Sequence, residues 1–204
     1  MEKKIILNIL LGSIVIFIVL YFNKKVTHLP KVNMMPWESF KDENNQTVAF
    51  GITINKSKLK DAMQYFGNEV ETALFENKDK SYDLEAYFAN TKIAGFSVKI
   101  ILGLKLDFNN LEFFKNNIKK ITKLPTSNIK YELKNNVNNE LLNTVISNIS
   151  VIPYTDLATK TIISHFGSPD NIIKENNNIQ LWQYKNKGLE IIIDKENKEI
   201  LQYY

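Results

Sequence analysis

Few side chains in this chain are of types that do chemistry, and their spacing decides what they can do. Asp83 and Glu85 lie two apart in an alternating stretch, so a strand would place both carboxylates on one face and Leu84, Ala86 and Phe88 on the other. Paired carboxylates invite glycoside hydrolysis. That reaction needs one of them raised in pKa by an apolar pocket, and the flanking sequence supplies none, so the pair reads as a solvated strand face. The two histidines, His28 and His165, are far apart and form no metal-binding spacing. His165 falls near a predicted helix C-terminus, where an imidazolium complements the dipole. With no cysteine there is no disulfide, zinc ribbon, thiol nucleophile or lipidated Cys. There is no Gly-rich phosphate loop or nucleophile elbow, and the chain has only 7 glycines. The reading is a chain with no catalytic residue, no metal site and no cofactor.

Composition bounds what carries these residues. At 204 residues with 44% apolar and 24% charged, the chain is long enough and apolar enough to bury a core. Its 26 basic residues are all lysine, spread along the chain, and the net charge is only +4. Without an Arg fork or a basic stripe, nucleic acid is not an expected partner.

Residues 5–22 are apolar apart from Asn8, Gly12 and Ser13. Eighteen helical residues rise about 27 Å, enough to cross a hydrocarbon core. Lys3 and Lys4 precede this run, and no small-x-small cleavage site follows it, so it reads as an uncleaved signal anchor. The expected topology is a cytoplasmic tail (1–4), an inner-membrane single-pass span (5–22) in contact with the lipid bilayer, and an exported soluble domain.

The linker, 23–47, holds Pro30 and Pro36 and two aromatics, Trp37 and Phe40, which either dock on the domain or lie near lipid headgroups. A first helix-plus-sheet unit (48–107) is expected to have a strand at 48–52, a helix at 57–66 with Ser57 as N-cap, and strands at 71–75, 83–88 and 95–106. Connecting elements (108–152) read as a helix at 109–121, a strand at 129–133 and a helix over Leu141, Leu142, Val145, Ile146 and Ile149. A second unit (153–204) has a helix at 155–166 and a meander of strands at 170–174, 179–184, 189–194 and 199–203.

The two units share a theme. Ala62-Met63-Gln64-Tyr65-Phe66-Gly67 stands against Ile162-Ile163-Ser164-His165-Phe166-Gly167, and Leu84-Glu85-Ala86-Tyr87 against Leu181-Trp182-Gln183-Tyr184. The helix ending Phe166-Gly167-Ser168-Pro169, with the strands Leu181-Trp182-Gln183-Tyr184 and Gly188-Leu189-Glu190-Ile191, resembles the small SmpA/OmlA (BamE-like) lipoproteins. Tandem copies of such a unit also resemble the beta-lactamase inhibitor protein fold. The resemblance implies a binding or assembly module without a catalytic centre. Where those lipoproteins carry a lipidated Cys, this chain has an apolar span, and no Pro follows the first Phe66-Gly67, where Asn68 stands.

The expected fold class is therefore α+β: an N-terminal transmembrane helix and two helix-plus-antiparallel-sheet units with extra helices between. The expected function is a membrane-anchored, non-catalytic binding or assembly module of the bacterial cell envelope, its partner another envelope protein. An immunity or inhibitor protein is the alternative, and an enzyme acting at the membrane surface stands third. Alternation predicts Ile179 and Leu181 under the helix, with Trp182 and Tyr184 facing away; the repeat places Glu85 and Tyr87 likewise. These four are the candidate binding residues, and enclosure within the domain is the competing fate of the rings.

Overall fold

A computed structural model describes residues 35–93, 95–126, 128–134 and 138–204. The span expected at 5–22 lies outside them. Among the described residues no helix is long and apolar enough to cross a membrane.

The described fold is α+β. In chain order it runs β1 (Phe40–Lys41), β2 (Thr47–Ala49), β3 (Ile52–Thr53), α1 (Leu59–Phe66), β4 (Glu71–Glu76), β5 (Tyr82–Ile93) and β6 (Phe96–Leu104). Then come α2 (Phe108–Lys115), β7 (Ile118–Lys123), β8 (Ile129–Leu133), α3 (Asn138–Asn143) and β9 (Ile146–Pro153). It ends with α4 (Thr159–Phe166), β10 (Asn171–Lys174), β11 (Ile179–Tyr184), β12 (Leu189–Asp194) and β13 (Ile200–Tyr203). Strands β1–β3 form a small sheet, and the rest form one ten-stranded sheet in the order β10-β11-β12-β13-β9-β6-β5-β4-β8-β7.

That order contains two four-stranded antiparallel sets, β4-β5-β6-β9 and β10-β11-β12-β13, meeting where β9 pairs with β13. Each follows a helix with the same stop: Phe66-Gly67 and Phe166-Gly167, with both glycines at positive φ and their N–H groups bonded to Met63 and Ile163 at 3.0 Å. The helix-terminal rings then meet Phe88 at 5.5 Å in the first set and Tyr184 at 6.0 Å in the second. Phe88, not Tyr87, is thus the counterpart of Tyr184, one residue off the alignment the sequence suggests.

Two expected helices give way to strands. The helix predicted at 109–121 ends at Lys115: Asn117 bonds back to Phe113 and Phe114, and the Ile-Lys-Lys-Ile-Thr-Lys run continues as β7. The helix over Leu141–Ile149 ends at Asn143, where Thr144 Oγ1 donates to the Glu140 carbonyl. The β-branched residues beyond it alternate in and out as β9. Helix α1 starts at Leu59, and its first turn is held by Asp61 accepting the Lys58 N–H at 2.8 Å, not by Ser57.

All four described α-helices and the small sheet feed one hydrophobic cluster on one side of the large sheet. Phe50, Phe66, Phe114, Leu141, Ile162 and Phe166 meet Leu84, Phe88, Ile100, Leu102, Val151 and Tyr203 there.

Candidate functional site

The opposite face of the large sheet carries no described element, so its side chains are set by strand register alone. One row of registered neighbours crosses it as Asn171, Gln183, Glu190, Gln202, Ser150, Ile101, Tyr87 and Glu71. Its polar members link across strands: Asn171 Nδ2 donates to Gln183 Oε1 at 3.2 Å, and Gln183 Nε2 to Glu190 Oε2 at 3.0 Å. A second row is apolar and joins Ile173, Leu181, Ile192 and Ile200. A third runs Lys120, Glu132, Ala73, Glu85, Gly103 and Asn148. Apolar strip, amide ladder and charged row together make a bare face of mixed chemistry, as protein-binding surfaces are.

The structure divides the four candidate residues. Glu85 and Tyr87 project from this uncovered face, half-buried, as expected. Trp182 and Tyr184 point the other way, which corrects the face assigned to them from sequence. They are 6% and 3% exposed and belong to the core, where Tyr184 packs on Phe166 of α4 and its Oη donates to the Gly167 carbonyl at 3.1 Å. Ile179 and Leu181 are the outward residues of β11. The apolar count along the strand misleads because Gln180, on the inner side, is held by the indole N–H of Trp182 at 3.1 Å.

Glu85 sits at a gap. Its registered neighbours are Ala73 and Gly103, so neither adjoining strand sends a long side chain beside it. Two shallow depressions, of about 400 and 540 Å³, meet at Glu85 and Ile101. The first is lined also by Phe75, Tyr87, Lys99 and Lys130, the second by Asp83 and Asn148. Lys99 lies over the Tyr87 ring at 5.6 Å, and Asp83 accepts a hydrogen bond from Asn77 at 2.7 Å. Burial, then the Asp83 charge, push the Glu85 carboxyl above its ordinary 4.5, against a pull down from Lys130.

A raised native-state value means the folded protein holds this proton more tightly than the unfolded chain. The stability it contributes is present at low pH and lost as pH rises through the folded value. Glu85→Gln is therefore expected to melt above the wild type at pH 7.5, with the gap closing as pH falls below the ordinary Glu range. Thermal melts across a pH series check this.

Other titratable groups are structural. Glu76 accepts from Tyr131 at 2.6 Å and Lys80 at 2.8 Å, pinning β8 to the β4–β5 hairpin. The Glu76 hydrogen bond is the chief cause pushing the Tyr131 phenol up to about 12. His165, in the last turn of α4, stacks on Trp37 at 4.2 Å, so Trp37 docks on the domain, whereas Phe40 is 52% exposed. Among the described residues no group of His, Asp and Glu is placed to hold a metal ion.

Comparisons with family models, with characterised proteins and with solved structures find no match to this chain.

Proposed function

We propose that this chain is a non-catalytic binding module, held at a membrane by its N-terminal segment and presenting the uncovered face of its large sheet to another protein of the cell envelope. One observation carries the reading: every described helix packs on one side of the sheet, and the other side displays the Ile173–Leu181–Ile192–Ile200 strip beside a polar ladder. A bare sheet face with an apolar strip of this kind is what a partner surface covers. Glu85 and Tyr87 belong to the docking surface, and Trp182 and Tyr184 support it from beneath. The apolar run at 5–22, with Lys3 and Lys4 before it, supplies the tether and favours export of the domain. The resemblance to tandem BamE-like units supports the same reading.

A photo-reactive amino acid at Gln202, central on the uncovered face, tests this in cells. An adduct with one protein is expected in the membrane fraction, released only by detergent, and none is expected from the same probe at Lys160 on the exposed side of α4. No adduct from Gln202, equal adducts from both positions, or an adduct that stays soluble without detergent would overturn the proposal.

A further inference from the structure

The gap around Glu85 has the shape and chemistry of a socket for one side chain. It is one residue wide, because Ala73 and Gly103 flank Glu85 on the adjoining strands. Gly103 cannot easily be anything larger: a Cβ there would stand 2.2 Å from Asn148 Nδ2, so the Asn148 amide lies directly over the glycine and closes that end. Phe75, registered with Asp83, and Tyr87, registered with Ile101, stand one step along the strands on either side. At the floor, no hydrogen bond or ion pair engages the Glu85 carboxylate among the described residues.

The cations nearby do not fill the socket. Lys99 is drawn to the Tyr87 ring, and neither Lys130, across the first depression, nor Lys105, on the wall of the second, makes an ion pair with Glu85 or Asp83. A second carboxylate, Asp83, lies two residues along the same face. Two like charges facing one gap, one of them without a partner, are complementary to an incoming cation. Aromatic walls favour the planar, weakly hydrated guanidinium over ammonium.

We infer that the Glu85 gap is the site where the partner's docking surface inserts a basic side chain, arginine above lysine, with the apolar strip on the far side of the amide ladder covered by aliphatic residues of the same partner. This rests on the uncovered face being the docking surface, and it adds the chemistry of the group that docks. The incoming guanidinium donates to Glu85 from above, within reach of the Asn148 carbonyl oxygen, while its stem lies between Phe75 and Tyr87. The incoming positive charge pulls the Glu85 carboxyl down, against the burial and the Asp83 repulsion that hold it high.

The test uses n-butylguanidinium as the probe and the full-length chain in detergent micelles, with the Ala73 methyl carbon as reporter at the floor of the gap. A saturable shift of that resonance is expected with n-butylguanidinium and none with n-butanol at the same concentrations. Glu85→Gln is expected to weaken the response about tenfold or more, since a hydrogen bond to a charged group is lost. Asn148→Leu, which leaves the carboxylate and the reporter in place, is expected to weaken it by a smaller factor. An absent or non-saturable shift, an undiminished shift in Glu85→Gln, or an equal response to n-butyrate, which would assign the site to Lys99 and Lys130, each overturns the inference. The Gln202 adduct is read independently, so its survival alongside a failed titration removes the socket and leaves the docking face standing.

Discussion

Replacing Trp182 with alanine is expected to cost about 3–5 kcal/mol of folding stability, the range for deleting a large buried ring. The indole is 6% exposed and stands beside Tyr184, whose own ring is 6.0 Å from that of Phe166. Both rings lie on the core side of the sheet, that of Tyr184 against α4, so the deletion opens a cavity that the surrounding core can close only partly. For a domain of this size each kcal/mol moves Tm by about 2–4 °C, so the fall should be of order 10 °C. Leu181→Ala on the same strand, pointing to the uncovered face, is the control and should move Tm far less. Thermal melts of the three proteins separate the two sides of β11. If Leu181→Ala cost as much as Trp182→Ala, the sheet would have to be covered on both faces.

The second large effect is expected at Gly188, where the turn between β11 and β12 meets the N-terminal part of the domain. Gly188 adopts φ +54°, ψ 39°, a left-handed conformation that a side chain disfavours. A Cβ there would also stand 2.0 Å from Thr47 Oγ1 and 2.8 Å from its Cγ2. Gly188→Val combines a β-branched left-handed residue with that collision and is expected to cost about 3 kcal/mol or more. The two contributions can be parted by placing Gly188→Ala in wild-type and Thr47→Ala backgrounds. Removing the threonine's branched atoms should recover the collision share and leave the conformational share of about 1–2 kcal/mol. Identical losses in both backgrounds would mean that β2 does not lie against this turn.

Much of the fold was legible because alternation over short runs is unambiguous when turns bound it. Strands β8, β11 and β12 start and stop where polar turns flank them, and both Phe-Gly helix stops are local signals. What local pattern could not decide was any stretch whose apolar residues fit both periods. Ile118 and Ile121, or Ile146 and Ile149, sit three apart, as on a helix, yet each pair belongs to a strand with a register shift. For β9 the deciding contacts are its pairings with β6 and β13, distant in sequence and invisible to a window of a dozen residues. The face of β11 failed for a related reason. Alternation yields two faces but not which one a helix covers, and Ile179 and Leu181 make the outer face look the more apolar. The site was half legible: Glu85 and Tyr87 face outward by simple alternation, whereas the gap beside Glu85 exists only because register brings Ala73 and Gly103 to its sides.

The N-terminal part of the domain fastens onto its last strand. Tyr203 Oη donates to the Pro36 carbonyl at 2.8 Å, Lys187 Nζ to that of Trp37 at 2.7 Å, and Lys41 and Thr47 both donate to the Tyr204 backbone oxygen. Seen mechanically, this clasp is where tension would be carried. A pull along the chain at residue 35 passes through the Trp37–His165 stack into α4, through Lys187 into the turn before β12, and through the other hydrogen bonds into β13 and Tyr204 beyond it, β13 being a strand in the middle of the sheet and not at its rim. Side-chain contacts of this kind are weaker than a ladder of paired strands, so the clasp should yield first and act as a fuse. Freeing residues 35–39, as far as the β1–β2 pairing, would pay out roughly 16 Å of slack at about 3.3 Å per residue. The strand pairing that displays Glu85 and the apolar strip would remain closed, so in the proposed membrane-held module a jolt to the tether would lengthen the leash while the proposed docking face kept its shape.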